Sequence, residues 1–168
     1  VASFFVSRVD TAVDALLSKR DHEAAPGLMG KTAVANSKIV YQRFKELFHG
    51  PAFAELAAAG ATPQRLLWAS TSAKNPAYSQ TMYIDELIGP QTVSTIPPNT
   101  VDAFRANGRV AYTLEKDVPA ARFVLGSLAD LRIDLSQITG QLQEEGVEAF
   151  ANSFRQLMDT IAAKRTMF

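Results

Sequence analysis

Leu67-Trp68-Ala69-Ser70-Thr71-Ser72-Ala73-Lys74-Asn75-Pro76-Ala77 is a short apolar run that breaks into hydroxyls, a lysine and an Asn-Pro stop. A strand buried on both faces of a parallel sheet reads as a continuous apolar segment, and ligands meet the polar loop beyond its carboxyl end. On that reading Ser70, Thr71, Ser72 and Lys74 stand at the ligand end of a strand. Ser, Thr and Asn are also common turn formers, so the same residues fit an ordinary strand-to-loop transition.

Working outward, strands alternate with helices, which is the βαβ pattern of a parallel sheet. Strands are expected at Ala2 to Val6, Arg65 to Ala69 and Thr92 to Ile96. Between the first two, the pattern predicts a helix from Asp10 to Ser18, a polar loop through Pro26-Gly27, and a longer helix from Thr32 to Phe48. In the longer helix Val34, Ile39, Val40, Phe44, Leu47 and Phe48 fall mostly on one face, the expected core side. An Ala-rich helix from Pro51 ends at Gly60, as helices commonly do. Pro76 and Pro97-Pro98 close two strand loops, because proline disfavours helical geometry in the residue before it. Asn99-Thr100 could cap a helix from Val101 to Ala106, Asp134 caps a segment from Leu135 to Glu144, and a last helix carries Val147, Phe150, Phe154, Leu157, Met158 and Ile161 as a stripe. That stripe would pack on the rest of the fold or on a second subunit of a homodimer.

Bulk properties remove several functions. Seventeen Lys+Arg against 17 Asp+Glu leave no basic surplus for nucleic acid. No apolar run approaches the ~18 residues of a membrane span, so neither nucleic acid nor a membrane is an expected partner. With no cysteine there is no disulfide framework, thiol nucleophile or thiolate metal site. The two histidines, His22 and His49, lie in polar stretches near Gly or Pro and read as solvated loop residues, since a zinc site wants three or four convergent donors. Asp85 and Glu86 are adjacent, do not share a helical face, and read as surface charges.

Trp68 to Tyr78, followed by Tyr83-Ile84-Asp85-Glu86-Leu87-Ile88-Gly89-Pro90 and Thr92-Val93-Ser94-Thr95-Ile96-Pro97, resembles the transaldolase family. Val1 to Asp10 is similar to the family's strand carrying a phosphate-binding arginine, and Gly30 to Ser37 is similar to a helix start in its larger bacterial members. The resemblance covers residues 1–108 in order and is looser over 109–168. It implies an α/β fold, a (β/α)8 TIM barrel, which typically needs about 250 residues, against 168 here. The chain starts inside an apolar strand without methionine or signal-peptide pattern. The expectation is therefore the carboxyl-terminal portion of such a barrel, about three strands with their helices. One partial domain is expected, residues 1–108 carrying the barrel elements and 109–168 the extra C-terminal helices.

The activity the resemblance implies is transfer of a dihydroxyacetone unit between sugar phosphates through a lysine Schiff base, in the cytoplasm, with neither cofactor nor metal. The imine is the electron sink for carbon–carbon cleavage and carboxylates handle the protons. The family's Lys-hydrophobic-Pro strand motif does not occur here, and every Lys falls on an expected helix surface or loop. No catalytic residue is therefore assigned in this chain, and the Schiff-base lysine is expected on an amino-terminal part of the same barrel. The substrate-phosphate end of the site is what the chain should hold. Arg8 can form a bidentate pair with phosphate oxygens, and by resemblance is the main anchor, with Ser70 and Lys74 on a second phosphate-binding loop. Without the resemblance Arg8 reads as a strand-end charge paired with Asp10. Alternation places Ser3 and Phe5 on one side of the strand; by resemblance they line the substrate pocket, where the family faces the imine with the Phe5 position. Phenylalanine lacks the hydroxyl that related fructose-phosphate aldolases carry there, which favours transfer over lysis. A terminal helix beside the site would make Phe154 or Phe168 a lining residue.

Overall fold

The computed structural model describes residues 1–165. Apolar residues at Val6, Val9, Val13 and Leu17, spaced by three and four, continue directly from strand β1 (Ala2–Phe5) into helix α1 (Val6–Leu17). The helix begins four residues before the expected Asp10, because this stripe extends to Val6, which is 2% exposed. Next come a helical turn α2 (Ala25–Leu28), where a loop was expected, then α3 (Thr32–Phe48), α4 (Pro51–Ala58) and strand β2 (Leu66–Ala69). Gly60, at φ +92°, ends α4: its N–H reaches the Ala57 carbonyl and that of Ala61 the Leu56 carbonyl, a Schellman closure.

The chain continues through α5 (Met82–Glu86), β3 (Thr92–Ser94), α6 (Pro98–Asn107) and α7 (Val118–Asp130). α6 starts three residues before the expected Val101, with Pro98 in the first turn, where a missing N–H costs nothing. Contacts divide the chain into two compact units, Val1–Ile133 and the segment from Asp134 onward.

In the first unit the strands form one sheet in the order β1-β2-β3, parallel throughout. Each crossover contains helix, as parallel pairing requires. Register places Ser3 beside Leu67, which in turn lies beside Val93, and Phe5 beside Ala69. Leu66 and Trp68 point to the other face and are 5% and 1% exposed, with the Phe4 ring 5.9 Å from that of Trp68. On that face Leu66 and Trp68 are buried at the centre, while Ser3 and Phe5 at the edge strand share the opposite face and are exposed.

α3 packs between α1 and α7. Its bounds match the expectation, but its buried side agrees only at Phe44: Thr32, Ala33, Ala35, Ser37, Lys38 and Tyr41 also face inward, while Val34, Ile39, Val40 and Phe48 are half-buried and Leu47 is exposed. Small residues on the inner face let helix backbones approach closely, which outweighs the larger apolar area available on the other side.

The second unit is built on one helix, α8 (Leu135–Arg165), where two were expected. Asp134 caps it as expected, Oδ1 accepting the N–H groups of Ser136 and Gln137 at 2.8 and 3.2 Å. Val147, Phe150, Phe154, Leu157, Met158 and Ile161 are 49–66% exposed. Phe168 lies outside the described residues.

Candidate functional site

Arg8 occupies the first turn of α1 rather than the tail of a strand. The backbone amides and dipole of a helix start attract anions and repel cations. This start has no acidic residue in its first turn and no side-chain cap from Phe5, so Arg8 adds a second positive contribution in the same place. That combination is unfavourable for the isolated helix and favourable for a bound anion. The guanidinium is held over the Phe5 ring, 4.7 Å from its centroid, which orients the fork without neutralising it. Asp10, the alternative partner of Arg8, is engaged elsewhere.

Ser70 meets the same helix start. Its carbonyl accepts the Ser7 N–H at 3.1 Å and its Oγ lies 3.0 Å from Ser7 Oγ. Ser70 holds φ +55°, the left-handed region, which costs a non-glycine residue of order 1 kcal/mol or more and clusters at functional loops. Thr71, fully buried, donates to the Thr95 carbonyl at 2.7 Å and ties the loop to the segment after β3. The ends of β1 and β2 are thus joined around half-buried Ser70 and Arg8. Lys74 is exposed on the same loop, its Nζ donating to Ser72 Oγ at 2.9 Å.

Beneath this region is a polar network that sequence reasoning missed. Asp10 and Asp14 lie one turn apart on α1, and each carboxylate oxygen has a donor. Asp10 Oδ1 accepts the Ala33 N–H at 2.7 Å and Oδ2 the Tyr83 hydroxyl at 2.8 Å. Asp14 Oδ1 accepts the Gly30 N–H at 3.0 Å and Oδ2 the Tyr78 hydroxyl at 2.6 Å. Burial pushes the Asp10 carboxyl up to about 6 against the pull of its Ala33 and Tyr83 hydrogen bonds. Burial, then the bond to Asp14, pushes Tyr78 up to about 12, and Tyr83 is raised by burial and the charge of Asp10. Gly30 sits at φ +69°, and a Cβ there would lie 2.7 Å from the Tyr78 ring. The i, i+4 spacing of the aspartates was the available signal.

Two charge assignments are corrected. Lys38 is not on a surface: it is 5% exposed and donates to Glu86 Oε2 at 2.9 Å, linking α3 to α5. Asp85 is a half-buried hub, accepting the Thr81 hydroxyl at 2.6 Å and the Arg109 N–H at 2.7 Å, while its carbonyl accepts Thr113. Its partners lie up to 28 residues away, out of reach of a helical-face argument. His22 and His49 are exposed, and no group of three or more metal-ligating side chains occurs among the described residues. No helix there is long and apolar enough to cross a membrane.

A model of the Transaldolase/Fructose-6-phosphate aldolase family matches residues 1–161. The chain belongs to this family. Relatives named transaldolase include those of Parafrankia sp. (strain EAN1pec), 46% identical over 162 residues, and Thiobacillus denitrificans (strain ATCC 25259 / T1), 46% identical over 161. That of Trichodesmium erythraeum (strain IMS101) is 40% identical over 174. These matches take in 96–98% of this transaldolase-family chain but only 44–46% of each relative, so the chain spans about half the length of the curated relatives it matches.

Proposed function

We propose that this chain supplies the substrate-phosphate end of a transaldolase site. The observation that carries the reading is the acid-free start of α1, where Arg8 follows directly on Ser7, whose N–H and hydroxyl are bound to Ser70. Arg8 anchors the phosphate through a bidentate pair, and Ser70 and Lys74 complete the cradle from the loop after β2. The β1-β2-β3 sheet is read as three neighbouring strands of a (β/α)8 barrel, with Ser3 and Phe5 on its inner face lining the pocket. The barrel's other strands carry the Schiff-base lysine.

In this reaction the lysine amine condenses with the donor ketone and releases water. Cleavage of the adjacent carbon–carbon bond then frees an aldose phosphate and leaves an enamine, which attacks the acceptor aldehyde. The substrates are the pairs sedoheptulose 7-phosphate with glyceraldehyde 3-phosphate and fructose 6-phosphate with erythrose 4-phosphate, in the cytoplasmic pentose phosphate pathway. Phe5 offers a ring face and no hydroxyl, which supports transfer over the lyase reaction of a fructose 6-phosphate aldolase.

The test is a chimera in which this chain replaces the matched region of the Thiobacillus denitrificans relative. Transfer from fructose 6-phosphate to erythrose 4-phosphate is expected, and Arg8→Ala should cost on the order of 2–5 kcal/mol in kcat/KM with phosphorylated donors only. A folded chimera that transfers nothing, beside an active parent, sinks the reading. Equal losses on phosphorylated and non-phosphorylated donors would make Arg8 structural.

A further inference from the structure

The loop after β2 is fastened to α1 at both ends. At its start Ser70 is bound to Ser7 through both backbone and side chain. Eight residues later Tyr78 donates to Asp14, and further on Tyr83 donates to Asp10. Arg8 lies between these fastenings on the same helix. The stretch carrying Ser72 and Lys74 is therefore a strap whose two ends are set by the helix that carries Arg8. The remaining oxygens of Asp10 and Asp14 hold the N–H groups of Ala33 and Gly30, so α1 cannot shift relative to the start of α3 without losing bonds to the strap's partners.

We propose that Asp14–Tyr78 and Asp10–Tyr83 are positioning pairs that set the strap bearing Ser70 and Lys74 at the distance from Arg8 needed to enclose one phosphate group. The inference rests on the phosphate reading of this site and adds four residues to it, none of which touches the ligand. A phosphate bound by two separately anchored segments is sensitive to their spacing, because charge-assisted hydrogen bonds weaken steeply with distance and angle. Tyr78 is the informative position. Its ring fills the space left by Gly30, whereas its hydroxyl donates to Asp14 and also interacts with the Asn75 side chain of the strap itself. Tyr78→Phe keeps the ring and deletes the tether.

The experiment titrates inorganic phosphate into the isotope-labelled 168-residue chain and follows the amides of residues 6–8 and 70–78 by NMR, with unfolding measured in parallel. Phosphate should shift both segments in the wild type and neither in Arg8→Ala. Tyr78→Phe should bind roughly three- to tenfold more weakly, the size of one lost hydrogen bond, and should have no further effect in the Arg8→Ala background. Asp14→Ala should behave like Tyr78→Phe. Asp14→Asn, which keeps an acceptor for Gly30 and offers the Tyr78 oxygen a donor, should restore most of the affinity. If Arg8-dependent binding is intact in folded Tyr78→Phe and Tyr83→Phe, the network serves stability alone and this inference is overturned. If the wild type shows no Arg8-dependent shift, the phosphate reading fails and takes the inference with it.

Discussion

Asp10 shows how far one residue's chemistry departs from its type. It is 1% exposed, both oxygens are engaged, and burial lifts its pKa from 3.8 to about 6. Because the folded-state value lies above the unfolded one, its contribution to stability is fully present below the unfolded pKa and is lost as pH rises through about 6. Over that window the change is about 3 kcal/mol, from roughly 1.4 kcal/mol per unit. Asp10→Asn leaves an acceptor for Ala33 and a donor toward the Tyr83 oxygen, without the titrating proton. Denaturant titrations between pH 4 and pH 7 should show the wild type losing stability relative to Asp10→Asn as pH rises. A difference that is flat, or of opposite slope, would contradict the burial argument. Arg8 presents the converse case: it is charged where the helix start already favours an anion, which is why the proposed function gives it the phosphate.

At the scale of elements, α3 illustrates a helix whose buried face is chosen by fit. Ala33 and Ala35 are 1% and 3% exposed against α1 and α7, while Val34 is only half-buried. Ala33→Leu is expected to cost about 1–3 kcal/mol by overpacking, because the inserted carbons have no space between helix backbones. Val34→Ala should cost less, since the valine is not enclosed. Urea unfolding of the two variants checks the order, and the reverse order would restore the larger apolar side as the core face. Gly30 couples α3 to the site by another route: its left-handed conformation and contact with the Tyr78 ring both exclude a side chain.

For the whole molecule, a three-stranded parallel sheet buries Leu66 and Trp68 of its central strand on one face and exposes Ser3 and Phe5 on the other. The relatives are more than twice as long as the matched region, which on the proposed barrel reading leaves chain in those proteins for further strands. On the proposed division of labour, the imine forms outside this chain. Borohydride reduction of the active chimera with fructose 6-phosphate, followed by peptide mass analysis, should place the three-carbon adduct on a lysine contributed by the Thiobacillus denitrificans portion. An adduct on any lysine of this chain, Lys74 or buried Lys38 included, would move the chemistry here.

What the sequence by itself determined was local. The bounds of α3, the αL closure at Gly60, the Asp134 cap and the apolar run of β2 each depend on residues within a few positions of one another, where propensity and backbone geometry decide. The family was legible for a similar reason, since its motifs are contiguous, and they quote the loop from Ser70 and the helix start at Arg8. Tertiary structure alone decided the partners. Asp14 and Asp10 reach tyrosines 64 and 73 residues away, Lys38 finds Glu86 across 48, and Asp85 becomes a hub. Whether a polar side chain is solvated or buried follows from which helices pack together. Only that packing supplies the desolvation that raises Asp10 and the donors that make its burial tolerable.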